Sequence, residues 1–225
     1  MTRVYFASVE ALNDDELFAR CRAQLSAGRL AKADRMRFRK DQNLSIGAGL
    51  LLKKGLQAYG LREKDMLYET GANGKPFFAA APEICFNVSH SGQMVMAAFS
   101  DVPVGCDIEK ISDVNLAIAE RFFCKSEAAS VLAMKTDAEK QKQFYRYWTL
   151  KESFLKATGL GLSLRPDAFE LMLLPGEVTV LHTVNDEKYS FREFSAVAGY
   201  CSALCVQAPS CEATCTFTTP EECLA

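Results

Sequence analysis

The sequence predicts an α+β protein, with helices packed on largely antiparallel sheets. Strand-like segments come in runs joined by short, turn-rich links, one run ending near residue 105 and another filling the chain after Gly161. Each run follows segments whose apolar residues recur at helical spacing, so the two parts share a layout without a close repeat. Apolar content of 49% and charged content of 24% over 225 residues are ordinary globular values, enough for one large domain or two small ones. We divide the chain at 1–105 and 106–225. No Gly/Ser- or Pro-rich linker separates the halves, so they are expected to pack as one unit.

Residues 3–9 (RVYFASV) are rich in β-branched and aromatic side chains and read as a first strand. Asn13 then caps a helix with acids in its first turn and Leu17, Cys21 and Leu25 along one face. From Arg29 to Lys40 the chain is strongly basic, with Leu30, Ala33, Met36 and Phe38 as the less polar positions. That pattern is either a solvated helix face or a cationic rim for a phosphate. An amphipathic helix follows over 43–59, with Leu44, Leu51, Leu52, Leu56 and Tyr59 inward and Gly47 and Gly49 allowing close packing.

Asn73-Gly74 marks a tight turn and Lys75-Pro76 an extended exit from it. Strands are expected over 83–89, 94–100 and 104–108 as an antiparallel meander. Asn87-Val88-Ser89-His90-Ser91 falls at the end of the first of these, where a backbone nest and two hydroxyls could meet an anion. Helices are expected over 113–123, over 126–134 with Ser126 as cap, and over 138–158. The second run of strands spans 168–174, 178–184, 189–195 and 198–206, with a short one at 214–218.

Two of these elements carry chemistry. Asp107-Ile108-Glu109 ends a strand, and strand alternation turns both carboxylates to one side. Like charges this close raise a pKa or demand a cation. In the 138–158 helix, Trp148, Glu152 and Lys156 follow at i, i+4 and i+8 along one side, over a stripe of Phe144, Tyr147, Leu150, Phe154 and Leu155. A carboxylate flanked by Lys151 and Lys156 could serve a metal and a phosphate together; it equally describes a solvated helix edge with ordinary pairing. If Glu152 faces Asp107 and Glu109, three carboxylates with open water positions suit Mg²⁺ or Mn²⁺.

The net charge of −2 gives no global pull toward nucleic acid, so an anion site must be a local cluster. The apolar runs fall far short of a membrane span, and the stretch after Met1-Thr2-Arg3 is too short for a signal-peptide core. We expect a cytoplasmic protein with no membrane partner. Nine cysteines form no C-x-x-C pair and only two histidines are present, which favours reduced thiols over a structural zinc.

Taken together, these residues resemble the 4′-phosphopantetheinyl transferases of the Sfp type. The resemblance rests on Gly105-Cys106-Asp107-Ile108-Glu109, on Trp148-Thr149-Leu150-Lys151-Glu152-Ser153-Phe154-Leu155-Lys156, and on Asn87-Val88-Ser89-His90-Ser91 at family-like spacing. Phe122-Phe123-x-x-x-Glu127, Gly74-Lys75-Pro76 and Gly159-x-Gly161-Leu162-Ser163 also fit, so the match covers residues 74–164.

The resemblance implies a pseudo-dimer of two similar halves in one monomeric chain, with the active site between the halves. It implies transfer of phosphopantetheine from coenzyme A to a serine of an apo acyl or peptidyl carrier protein, releasing 3′,5′-ADP. Carried onto this chain, Asp107, Glu109 and Glu152 would hold the metal, and Lys156, with Lys151 as a further candidate, would stabilise phosphate charge. Ser89 and His90 would contact the phosphates of coenzyme A, and Lys75 with Pro76 would lie near its nucleotide end. The serine's proton would go to Glu152, to a metal-bound water, or to Glu127. The chain departs from the family after Arg37-Phe38: the helix segment Asp41-Gln42-Asn43-Leu44-Ser45 carries no arginine, and none follows Arg39 until Arg62. The 3′-phosphate would then rely on the basic residues of 29–40, with Arg35 and Arg37 among the candidates beside Arg29, Lys32, Arg39 and Lys40. A metal-dependent nucleotide phosphohydrolase, or a coenzyme A-binding protein without catalysis, are the rival readings. The first would release phosphate with no carrier present; the second would not need the full acidic set.

Overall fold

The computed structural model describes residues 1–224, and for Leu162 the backbone alone. In chain order, β1 (Thr2–Ser8) leads to α1 (Asp15–Arg22), α2 (Ala27–Asp34) and α3 (Arg39–Gln57). Then come β2 (Tyr68–Thr70), β3 (Pro76–Phe78), β4 (Cys85–Ser91), β5 (Met94–Ser100) and β6 (Val104–Lys110). After these follow α4 (Ala117–Phe122), α5 (Lys125–Leu132) and the long α6 (Asp137–Thr158). The chain ends with β7 (Glu170–Leu174), β8 (Glu177–Leu181), β9 (Ser190–Phe194), β10 (Tyr200–Val206) and β11 (Ala213–Thr218). The α+β class holds.

The chain forms two compact units. The first comprises Met1–Glu69, Pro76–Asp101 and the chain from Glu212 on; the second comprises Thr70–Lys75 and Val102–Cys211. A division by chain order at 105 therefore misplaces the tail. β11 pairs parallel with β1, Thr2 opposite Ala213 through Ala7 opposite Thr218. A parallel pairing between strands so far apart in sequence has no local turn to announce it.

In the first unit the sheet order is β11-β1-β5-β4. Every residue of β5 is buried, which explains its unbroken MVMAAFS run. α3 lies on this sheet at short range because two of its glycines meet side chains. A Cβ on Gly47 would overlap Val9, and one on Gly55 would overlap the Phe99 ring. The basic stretch 29–40 is not one helix. α2 stops at Asp34, which a bidentate pair ties to Arg22 of α1, and an extended Phe38 precedes α3. The Gln42 side chain satisfies the Met36 carbonyl left over by the break.

The expected meander also divides. β4 and β5 form a hairpin, but β6 joins β10 and β9 in a separate antiparallel sheet of the second unit. Pro103, in the link, has no N–H to continue the first ladder, and its carbonyl accepts from Gln207 just beyond β10. Residues 87–91 belong to β4 in full, paired with β5, and the turn lies beyond them at Gly92 with φ +59°. The expected nest does not form at Asn87–Ser91, since extended strand backbone lacks the turn conformation that a nest requires.

The second unit is built on α6. Thr136 caps it, exchanging bonds with Glu139 (Thr136 N to Glu139 Oε2, 2.9 Å; Glu139 N to Thr136 Oγ1, 3.2 Å). It ends at Gly159, whose φ of +69° supplies the left-handed residue that closes a helix. Its buried stripe includes Phe144, Tyr147, Leu150 and Phe154. Trp148 packs among Phe122, Phe123 and Phe144. The helix rests directly on β6 at Gly105, where a Cβ would overlap the Ser153 carbonyl oxygen and the Ala157 amide nitrogen. None of the nine cysteines is joined in a disulfide. Among the described residues no helix is long and apolar enough to cross a membrane.

A methyl group at Gly105 has only backbone to push against. Gly105→Ala is expected to destabilise the protein by about 2 kcal/mol or more, as overpacking does. Denaturant unfolding measures this, and an unchanged midpoint would show that the helix and strand backbones are not in contact there.

Candidate active site

In the second unit, the close approach at Gly105 brings two elements of unlike charge together. Asp107 sits mid-strand on β6, opposite Ala203 of β10 and 2% exposed. Lys156, in the last turn of α6, places its Nζ 2.6 Å from Asp107 Oδ1 and 3.2 Å from the Cys106 carbonyl oxygen. Burial works against the Lys156 ammonium, but the Asp107 charge, followed by Cys106 and Glu152, prevails and raises its pKa. Glu152, one turn earlier on the same helix, is half-buried. Burial raises its pKa, Lys156 pulls it down, and the Asp107 charge raises it again. Glu109 lies two residues beyond Asp107 on the same strand face and is half-buried.

Among the described residues, no three His, Cys, Asp or Glu side chains are gathered into a ready-made metal group. The donor chemistry nonetheless fits a hard divalent cation. Asp107 and Glu152 feel one another's charge, Glu109 shares the strand face, and all three offer oxygen ligands. The positive charge met there in this structure is the Lys156 ammonium.

Lys151, a candidate for phosphate binding, goes elsewhere. It is 2% exposed, and its three ammonium protons are spent on Glu127 Oε2 at 2.8 Å, the Pro166 carbonyl at 2.8 Å and the Phe169 carbonyl at 3.0 Å. Glu127, a candidate general base, is equally committed. Besides Lys151 it accepts from the Cys124 and Leu171 amides, at 2.8 and 2.7 Å. The pair is structural, because neither residue has a bond or exposed surface left for a substrate. Burial lowers the Lys151 pKa, against the opposing charge of Glu127. Lys75 points its Nζ at the carbonyls of Val104 and Ala157, at 2.9 and 3.3 Å, where β6 begins and α6 ends. Leu162, part of the Gly159–Ser163 match, has its side chain outside the described residues.

In the first unit, a cavity of about 220 Å³ is lined by Arg29, Lys32, Ser45, Pro76, Asn87 and His90, with Met36, Phe86 and Val88 as apolar walls. Arg29 and Lys32 stand at i and i+3 on α2 and so share a face. Burial lowers the Lys32 pKa, and the nearby Arg29 adds to it. Lys32 is exposed and Arg29 half-buried, so the two form a cationic rim at the mouth of the cavity. Arg35 and Arg37, also candidates, do not line this cavity. They fall in the connection after α2 and are exposed, with Arg37 lying over the Phe38 ring. Arg39 is engaged by Asn43, Asp15 and the Leu12 carbonyl. Strand alternation turns Ser89 away from His90, and Ser89, 8% exposed, does not line the cavity.

Ser45 was not legible as a site residue. It is 3% exposed, and its hydroxyl makes no hydrogen bond among the described residues, although it lines a cavity rich in donors. A buried unsatisfied hydroxyl calls for an explanation, and a ligand or water in the cavity is the direct one. In the sequence Ser45 reads only as a polar gap in an apolar helix.

Residues 103–205 match the family model of the 4′-phosphopantetheinyl transferase superfamily. The chain is 33% identical to 4′-phosphopantetheinyl transferase Sfp of Bacillus subtilis (strain 168), over 89% of this chain and 90% of that one. It is 34% identical to 4′-phosphopantetheinyl transferase psf-1 of Bacillus pumilus, over 80% and 78% of the two chains. With 4′-phosphopantetheinyl transferase HetI of Nostoc sp. it shares 33% identity over 72% and 70%. This chain belongs to the 4′-phosphopantetheinyl transferase superfamily, and it is an enzyme of that class.

The raised Glu152 pKa has a sign that can be checked. A carboxyl raised above its ordinary value favours the folded state when protonated, so its ionisation costs stability as pH rises past 4.5. Glu152→Gln is therefore expected to melt at or above the wild-type temperature at pH 7.5 while losing activity. A marked fall in melting temperature would show that the ionised side chain stabilises the fold.

Proposed function

We propose that this enzyme transfers the 4′-phosphopantetheine group of coenzyme A to a serine hydroxyl of an apo acyl or peptidyl carrier protein. The observation that carries the proposal is the Asp107, Glu152 and Lys156 cluster, which unites opposite charges on the face that β6 shares with α6. In the reaction, the serine oxygen attacks the β-phosphorus of the coenzyme. The bond from that phosphorus to the oxygen bridging it to the α-phosphate breaks, and 3′,5′-ADP leaves with the electron pair.

Lys156 meets the negative charge that moves onto the leaving phosphate, where a cation aligned in advance is most effective. Glu152 takes the serine's proton, directly or through water. Glu127 is excluded from this step by its buried pairing with Lys151. Asp107, Glu109 and Glu152 would hold a divalent cation, Mg²⁺ or Mn²⁺, which supplies charge neutralisation on the pyrophosphate. The cavity of the first unit takes the 3′-phosphate of the coenzyme, with Arg29, Lys32 and His90 as donors and Ser45 as a hydroxyl partner.

Incubated with coenzyme A, Mg²⁺ and an apo carrier protein, the enzyme is expected to add the mass of one phosphopantetheine group to the carrier, with chelation stopping the reaction. Asp107→Ala and Glu152→Ala should each lower kcat on the order of a hundredfold or more. No mass shift across a panel of carriers, or phosphate release without one, would overturn the transferase reading. Arg29→Ala is expected to raise KM for coenzyme A about tenfold, the worth of a charged hydrogen bond, while Arg35→Ala leaves it near wild type. Equal effects of the two would remove the cavity from the reading.

A further inference from the structure

Glu63 is a carboxylate in the first unit, 1% exposed. It accepts three hydrogen bonds: from Ser26 N at 2.7 Å, Ser26 Oγ at 2.8 Å and Tyr68 Oη at 2.8 Å. Both partners act on Arg29. Ser26 is the N-cap of α2, and its hydroxyl accepts from the Arg29 amide at 3.4 Å while donating to Glu63. The Tyr68 ring lies under the Arg29 guanidinium, 5.4 Å from its Cζ. Tyr68 also packs against Phe86, an apolar wall of the cavity that Arg29 lines.

Arg29 is thus gripped at both ends, and both grips converge on one carboxylate. A hydroxyl that donates to a charged acceptor becomes a better acceptor itself, so Glu63 strengthens the cap it supports. Burial and the Glu63 charge push the Tyr68 hydroxyl upward, against Arg29, which keeps it protonated and donating. A neutral side chain at 63 would weaken both grips together. Nothing in the local sequence marks Glu63 for this work, since it falls in a charged turn (REKD) that reads as solvated.

We propose that Glu63 is a positioning residue for anion recognition. Through Ser26 and Tyr68 it holds Arg29 in the orientation that meets the phosphate, so selectivity for a coenzyme bearing the 3′-phosphate depends on a carboxylate that never touches it. The inference rests on the proposed role of the Arg29 cavity.

Calorimetric titration of the full chain with coenzyme A and with 3′-dephospho-coenzyme A tests it. The wild type is expected to prefer coenzyme A by about tenfold, the worth of a charged hydrogen bond. Glu63→Gln should weaken coenzyme A binding about fivefold, because neutral bonds are about half as strong as charge-assisted ones. Its affinity for the dephospho form stays within about twofold of wild type, so the preference shrinks; KM for coenzyme A rises with little change in kcat. Tyr68→Phe, which keeps the ring and removes the hydroxyl, should move the preference the same way by a smaller factor. A wild-type preference in folded Glu63→Gln overturns the inference. Equal weakening toward both ligands does so too, since that is what a merely structural role predicts. If Glu63→Gln does not fold, Tyr68→Phe decides alone, and a wild-type preference there is the overturning result. A wild type that binds both forms equally instead refutes the cavity assignment itself.

Discussion

The contact between Gly105 and the backbone of α6 is the constraint on which the candidate site depends. A helix on a sheet usually stands off by the thickness of its side chains. Here the strand offers no side chain at Gly105, and the helix settles onto it at Ser153 and Ala157. Asp107 is the next residue on that face of β6, and Lys156 lies in the turn of α6 that has just passed Gly105. Their ion pair at 2.6 Å follows from the backbone approach. Glu152, one turn back, then cannot avoid the field of both. Its raised pKa is a consequence of packing before it is a matter of chemistry.

The same helix is locked against rotation by the buried Glu127–Lys151 pair. Isolated buried charges are costly, yet these two satisfy each other and also bond four backbone groups from the α5 cap to β7. Lys151 and Glu152 are neighbours in sequence, about 100° apart around the helix, and they end in opposite worlds. One is sealed in a polar knot inside the core, and the other is turned toward Asp107. That rotation separates the structural lysine from Lys156, which faces the carboxylates.

Much of this was legible in the chain. The aromatic stripe from Phe144 to Leu155 predicts a helix over 138–158, within a residue of the observed Asp137–Thr158. The alternation in Asp107-Ile108-Glu109 places two acids on one face of a strand, and β6 runs through all three. Roles that depend on a partner distant in sequence were harder to read. Lys151 and Lys156 look equivalent until Glu127 claims one and Asp107 the other. Arg29, Lys32, Arg35 and Arg37 form one basic run until α2 ends at Asp34 and leaves only the first two facing the cavity. Ser45 and Glu63 carry no local signal, because their meaning is set by bonds made or left unmade across the fold.

The sequence by itself determined the α+β class, the helix and strand that bear the chemistry, and the family resemblance, because these rest on period and spacing within short windows. The tertiary structure decided where β11 pairs, which sheet β6 joins, which lysine meets Asp107, and which cations share a cavity. Each of these is a choice among chemically similar groups. Only the desolvation and contact geometry of the folded chain distinguish them.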